Sequence, residues 1–122
     1  MSFPKWVWEN IDTPITDRLE RVERVIKQAK GSVLFYTNSM YMAKQVPGDI
    51  VHNHQASKYR RRSMRMFQRG EIKILSVLAN VKLSGVSLTK AKHVIICGAG
   101  VDIMTAVNRI GANKTIYIHN II

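Results

Sequence analysis

Apolar and polar positions fall into short blocks along this chain, and the spacing changes from block to block. Ile15, Leu19, Val22, Ile26 and Ala29 recur at helical spacing on one stripe. Thr13 offers a cap, Pro14 suits a first turn and Gly31 a stop, so the pattern predicts a helix over residues 13–31. "SVLFYT" (32–37) is a nearly continuous apolar run, as in a strand covered on both faces. "SMYMAKQV" (39–46) predicts a short helix that stops at Pro47-Gly48, and "DIVHNH" (49–54) a second strand. "ASKYRRRSMRMFQRG" (56–70) predicts a helix ending on Gly70. "IKILSVL" (72–78) and "KHVIIC" (92–97) predict strands, "VDIMTAVNRIG" (101–111) a helix, and "TIYIHNI" (115–121) a last strand.

Strands and helices alternate, and the strands are dense in Ile, Val and Leu. That pattern predicts an α/β fold of three layers, with a mainly parallel sheet and helices on both faces. Ligands of such sheets bind in the loops at the carboxyl ends of the strands, which here start near Thr37, His54, Leu78 and Gly98. A length of 122 residues is one domain, taken as residues 14–122. Residues 1–13 are expected to form an N-terminal arm whose Trp6 and Trp8 pack onto that domain.

Charge changes the picture. The chain has 19 basic and 8 acidic residues, net +11. Up to Glu23 there are 3 basic and 5 acidic residues, and from Arg24 onward 16 basic and 3 acidic. A field this positive attracts polyanions, and nucleic acid is the commonest of them. No apolar run is long enough to span a bilayer, so no membrane is expected. The start "MSFPKWVWENIDTP" places acids and a proline where a secretion signal has an apolar stretch. With Cys97 the single cysteine, this suggests a cytoplasmic protein.

Several chemistries lack their residues. No Gly-Lys pair exists, so there is no phosphate-cradling P-loop, and no two acids are adjacent to hold magnesium and orient water. His52 and His54 could begin a zinc site, but no third ligand is evident, so no metal is expected. "GAGVDI" (98–103) has the setting of a dinucleotide fingerprint, but Ile103 stands at its third glycine, and Gly98 and Gly100 are read as a tight turn. No cofactor is expected, and Cys97 is expected to pack.

The helix predicted over 56–70 carries the positive chemistry. Lys58, Arg62, Arg65 and Arg69 share one face at 3.6 residues per turn, Arg61 flanks it, and Tyr59, Met66, Phe67 and Met64 supply the buried side. Phosphates would relieve the repulsion among these cations. "YTNS" (36–39) and "NHQAS" (53–57) place small polar groups just after strands, suited to phosphate contact and equally to plain helix capping.

Taken in order, these segments resemble the second RecA-like lobe of superfamily-two helicases and translocases, over roughly residues 15–122. "SVLFYTNS" resembles that lobe's opening strand and polar loop, and "VHNHQASKYRRRSMRMFQRGEIKIL" its next strand, helix and strand. "LANVKLSGVSLTKAKHVIICGAG" resembles the loop that contacts nucleic acid and nucleotide, with UvsW-type phage helicases similar around "SGVSLTKAKHVII". "AVNRIGANKTIYIHNII" resembles the last, arginine-containing motif, above all that of Swi/Snf-type translocases.

The resemblance implies nucleic-acid contacts from Thr37, Asn38 and Ser39, from Lys58, Arg61, Arg62, Arg65 and Arg69, and from Lys82, Ser84 and Gly85. Arg109 matches the second of the family's two nucleotide-sensing arginines, but Ala106 stands at the first and Asp102 at the glutamine. The expectation is therefore a degenerate lobe without an ATPase of its own, not an enzyme alone, that binds nucleic acid, DNA before RNA. The alternative is a module that completes or regulates a separate helicase or ATPase partner, with Arg109 reaching nucleotide in trans. A small separate lobe of this kind suits a viral gene.

Overall fold

The computed structural model describes residues 5–79, 81, 88–98 and 115–122. Six strands form one sheet: β1 (Lys5–Ile11), β2 (Ser32–Thr37), β3 (Asp49–Val51), β4 (Ile74–Leu78), β5 (Ala91–Cys97) and β6 (Thr115–Ile121). Their spatial order is β1-β6-β5-β2-β4-β3, and all five pairings are parallel. The helices are α1 (Arg18–Gln28), entered through a 3-10 turn at Ile15–Asp17, α2 (Met40–Gln45) and α3 (Ser57–Gln68). The expected helix over 101–111 lies outside the described residues. Among the described residues no helix is long and apolar enough to cross a membrane.

The sequence explains the layering. β2 is buried at every position because it sits mid-sheet and both its faces are covered. On one face Leu34, Leu75, Val94, Ile96, Ile116 and Ile118 pack with Met64 and Phe67 of α3. On the other, Val33, Phe35 and Ile95 pack with Val22, Val25 and Ile26 of α1. Gly48, at φ +106°, makes the turn into β3, where a Cβ would lie 2.2 Å from the Ile74 carbonyl oxygen.

Three elements differ from expectation. The strand predicted over 49–54 ends at Val51, and His52 and His54 fall in the turn that follows it. "KWVWENI" is not an arm but the edge strand β1, paired with β6 from Lys5↔Thr115 to Ile11↔Ile121. Its apolar residues 6, 7 and 8 are consecutive, so no one-sided alternation announced a strand. On α3 the buried side chains are Ser63, Met64 and Phe67, while Tyr59 is 52% exposed. The helix is turned so that Tyr59 leaves the core and Ser63 enters it, where its hydroxyl donates to Asp49 Oδ2 at 2.8 Å.

Polar contacts tie β1 to the sheet. Glu9 pairs with His119 Nδ1, and His119 Nε2 lies 3.0 Å from His93 Nδ1. His93 Nε2 lies 3.2 Å from the Lys30 carbonyl oxygen. A neutral His93 with its proton on Nε2 satisfies both of its contacts, donating to Lys30 and accepting from His119. Burial, and then the neighbouring His119, lower the His93 pKa from its ordinary value.

Candidate nucleic-acid interface

α3 builds the basic surface. Its inward stripe holds Met64 and Phe67, which leaves Lys58, Arg61, Arg62 and Arg65 exposed, with Arg69 exposed just past its end. Lys58 to Arg69 is eleven residue steps, roughly 17 Å of axis at the α-helical rise. The two ion pairs among the described residues, Arg24–Glu20 and His119–Glu9, involve none of these five cations. Five like charges, three and four residues apart, thus face water together, at a cost of tenths of a kcal/mol per neighbouring pair.

Arg60 behaves differently from its neighbours. It is half-buried and donates to the Gln55 carbonyl at 2.5 Å and to Ser57 Oγ at 3.1 Å, so it fastens the loop before α3. In that loop His52 Nδ1 accepts from the His54 backbone N–H at 3.2 Å. Among the described residues no three His, Cys, Asp or Glu side chains converge in a way that could hold a metal.

A groove of about 740 Å³ runs past the β3 edge between α2 and α3. Met40, Ile50 and Met66 supply apolar lining, Lys44 and Arg62 supply positive charge against the single acid Asp49, and the Tyr59 ring is part of its wall. The Lys58 ammonium lies 5.1 Å from the centre of that ring. Tyr59 and Lys44 belong to this surface, and sequence reasoning missed both. Helical spacing alone places Tyr59 in the core, although cations on either side of it signal an exposed face.

The polar loop after β2 divides into different roles. Thr37 is fully buried, and its hydroxyl accepts the Ser39 backbone N–H at 3.1 Å. Ser39 caps α2, accepting from the Met42 N–H at 3.2 Å. Only Asn38 of the three is exposed, and it packs against Gly98 at the ends of β2 and β5. Beside it opens a hollow of about 380 Å³, whose lining includes Arg18, Asn38, Ser39 and Cys97. Arg18 Nε is buried there without a hydrogen-bond partner, a cationic feature the sequence reading passed over as part of a helix start. Cys97 is buried, and burial raises its thiol pKa against the opposing pull of Arg18.

The structure does not merge these groups into one patch. β2 and β3 are two strand spacings apart, roughly 10 Å, so Asn38 and the start of α3 are separate points along the carboxyl edge of the sheet. Lys82, Ser84, Gly85 and Arg109 lie outside the described residues.

Six parallel strands with α1 and α2 on one face and α3 on the other define a RecA-like α/β domain. More narrowly, the fold is that of the C-terminal lobe of superfamily-two helicases. The C-terminal part of the Fun30 ATPase domain superposes with a TM-score of 0.67 at 16% identity, covering 86% of this chain and 40% of that one. The Sulfolobus solfataricus SWI2/SNF2 ATPase core in complex with dsDNA gives 0.68 at 18% identity, over 86% of this chain and 26% of that one. The C-terminal domain of the DEAD-box protein Dbp5 gives 0.72 at 14% identity, over 99% of this chain and 77% of that one. The chain thus spans well under half of the first two. No protein-family model matches it, and no curated protein matches its sequence.

Proposed function

We propose that this helicase-type lobe binds nucleic acid along α3. Lys58, Arg61, Arg62, Arg65 and Arg69 take backbone phosphates, and Tyr59 offers a ring on which an unpaired base stacks. The observation that carries the reading is the helix itself: five exposed cations with no acid paired to them among the described residues. Phosphate contacts of this kind fix position and read no sequence. Asn38 supplies a further contact at the carboxyl edge, with Thr37 and Ser39 holding the turn that presents it. The SWI2/SNF2 neighbour, in complex with dsDNA, supports nucleic acid as the ligand.

The chain lacks a P-loop, so the lobe turns over no ATP by itself. ATP hydrolysis by the isolated chain, with or without nucleic acid, would refute that part. The deciding experiment is a binding titration with single- and double-stranded DNA and RNA at two salt concentrations. It runs beside a charge-reversed variant of Arg61, Arg62 and Arg65. Binding that is tight on all four ligands and insensitive to reversal would remove α3 from the interface. A second reading, a lobe that works with a separate first lobe, draws on the Fun30 match to the C-terminal part of an ATPase domain. Stimulation of a partner's ATPase that is lost on Arg109→Ala would favour it.

A further inference from the structure

The two edges of the sheet are treated differently by the chain. At the β3 edge, the Gln55 carboxamide donates from Nε2 to the Ile50 carbonyl at 2.8 Å and accepts the His52 N–H through Oε1 at 3.1 Å. These are the two bonds a neighbouring parallel strand would make, so one side chain seals that edge. β1, at the other edge, is seven residues long and has no interior proline, glycine or bulge. Among the described residues no element pairs with its outer side. Trp6, Val7 and Trp8 are 37%, 42% and 41% exposed there, the kind of strand that native proteins normally shield.

The free backbone groups can be assigned by parity. The Ile122 N–H donates to the Ile11 carbonyl, so Ile11 turns its peptide groups toward β6. Glu9 and Val7 do the same along an unbroken register. Trp6, Trp8 and Asn10 therefore turn theirs outward. An antiparallel neighbour must offer outward groups in the same phase.

A second copy of β1 does so. With a two-fold axis at Val7, Trp6 and Trp8 of one copy form hydrogen-bonded pairs with Trp8 and Trp6 of the other, giving four bonds. Val7 meets Val7 at the axis. Lys5 falls opposite Glu9 on both sides. Read in reverse, "KWVWE" is thus complementary to itself in charge, in aromatic content and in backbone phase. A register centred on Trp8 keeps the phase but sets Lys5 against Ile11 and pairs no charges.

We propose that β1 is a homotypic interface: two copies join edge to edge into a twelve-stranded sheet, with Trp6 and Trp8 stacked across the seam. The net charge of +11 does not forbid it. The basic residues of α3 lie by β3, five strand spacings from β1, about 24 Å, well beyond the screening length at physiological salt. The dimer places one basic helix at each far end. This inference stands apart from nucleic-acid binding and survives its failure.

The test uses the full chain. Light scattering coupled to size exclusion should show a concentration-dependent species of twice 13.9 kDa. Since the two tryptophans are the only ones in the chain, their emission should shift blue with association. Edge pairing is a small interface, so dissociation on the order of micromolar is expected. Glu9→Lys or Lys5→Glu alone turns both charge pairs into like pairs and should weaken the dimer roughly 10-fold. The double variant Lys5→Glu/Glu9→Lys restores opposite charges and should recover it, although Glu9 is lost from His119 in both Glu9 variants. Far-UV circular dichroism confirms that each variant is folded. A monomer up to millimolar concentration, a dimer equally tight in the single variants, or open-ended assembly would overturn the proposal.

Discussion

Replacing Arg61, Arg62 and Arg65 by glutamine tests α3 most directly, because glutamine keeps the helix and removes only charge. Five cations are available on this surface: Lys58, Arg61, Arg62, Arg65 and Arg69. If all five neutralise phosphates of a duplex, the logarithm of the binding constant falls with the logarithm of salt at a slope of about −4.5. Between about 50 and 200 mM salt that is roughly a 500-fold loss of affinity. The triple variant keeps two of the five, so its slope should drop to about −1.8, with only roughly a 10-fold loss over the same range. Fluorescence anisotropy of a labelled duplex at four or more salt concentrations measures both slopes.

The same substitutions act on the free protein in the opposite direction. Lys58–Arg62, Arg61–Arg65 and Arg65–Arg69 are like-charged pairs four residues apart, each costing about 0.2–0.5 kcal/mol in the absence of ligand. Removing them should leave the variant as stable as the parent or more stable, by up to about 1.5 kcal/mol. Weaker binding by a more stable protein separates a lost contact from a damaged fold. A folded triple variant with the parent's salt slope would refute the assignment of α3.

Other perturbations probe the core and the titratable groups. Phe67→Ala should cost about 3–5 kcal/mol in urea denaturation, because its ring is fully buried. Tyr59→Ala should cost under about 0.5 kcal/mol of stability yet weaken single-strand binding by about 1–3 kcal/mol; the reverse ranking would restore Tyr59 to the core. Gly48→Ala meets the Ile74 carbonyl at 2.2 Å in a backbone at φ +106°, so it should lower the melting temperature markedly, and a neutral result would contradict that turn. The His93 pKa is depressed by burial, by His119 and by Lys92 and Lys73, so the unfolded chain binds that proton more tightly. Its contribution to stability is present above the ordinary value of about 6.5 and is lost as pH falls through the lower folded value. The stability difference between parent and His93→Gln should therefore shrink from about pH 7 to about pH 5, and a difference that grows would reverse the sign. Cys97, with its thiol pKa raised by burial, should react with an aromatic disulfide only as fast as the protein unfolds.

What could be read in the sequence follows from where each signal originates. β2 and β4 declared themselves because central strands of a parallel sheet must be apolar regardless of their neighbours. The exposed cations of α3 were equally plain, since a helix this charged cannot turn that face inward. β1 was missed because an edge strand is defined by its partner β6, 110 residues away, and by nothing local. Tyr59 was misplaced because helical spacing fixes which residues share a face but not which face is buried, and that choice fell to Phe67 and Met64 meeting the sheet. Thr37, Asn38 and Ser39 read alike as three polar residues, and only the turn geometry separates a buried brace and a cap from an exposed amide.

The sealing of one edge bears on both proposals. Gln55 occupies the bonds an incoming strand would need at β3, and Arg60 fixes the loop that carries it, so the basic end of the sheet is closed to strand addition. What remains there is a convex row of cations beside a groove, a surface suited to a flexible polyanion. At β1 the balance is opposite: backbone groups lie open, the side chains are aromatic, and the segment up to Glu23 carries net −2. A chain that joins its copies at the edge far from its charge can pair without bringing its basic helices together. The two helices then sit at opposite ends of a continuous sheet, more than 40 Å apart by strand spacing, roughly five times the screening length. They are electrostatically independent, so each should bind phosphate with the slope of the monomer, and dimerisation should raise affinity only for nucleic acid long enough to reach both.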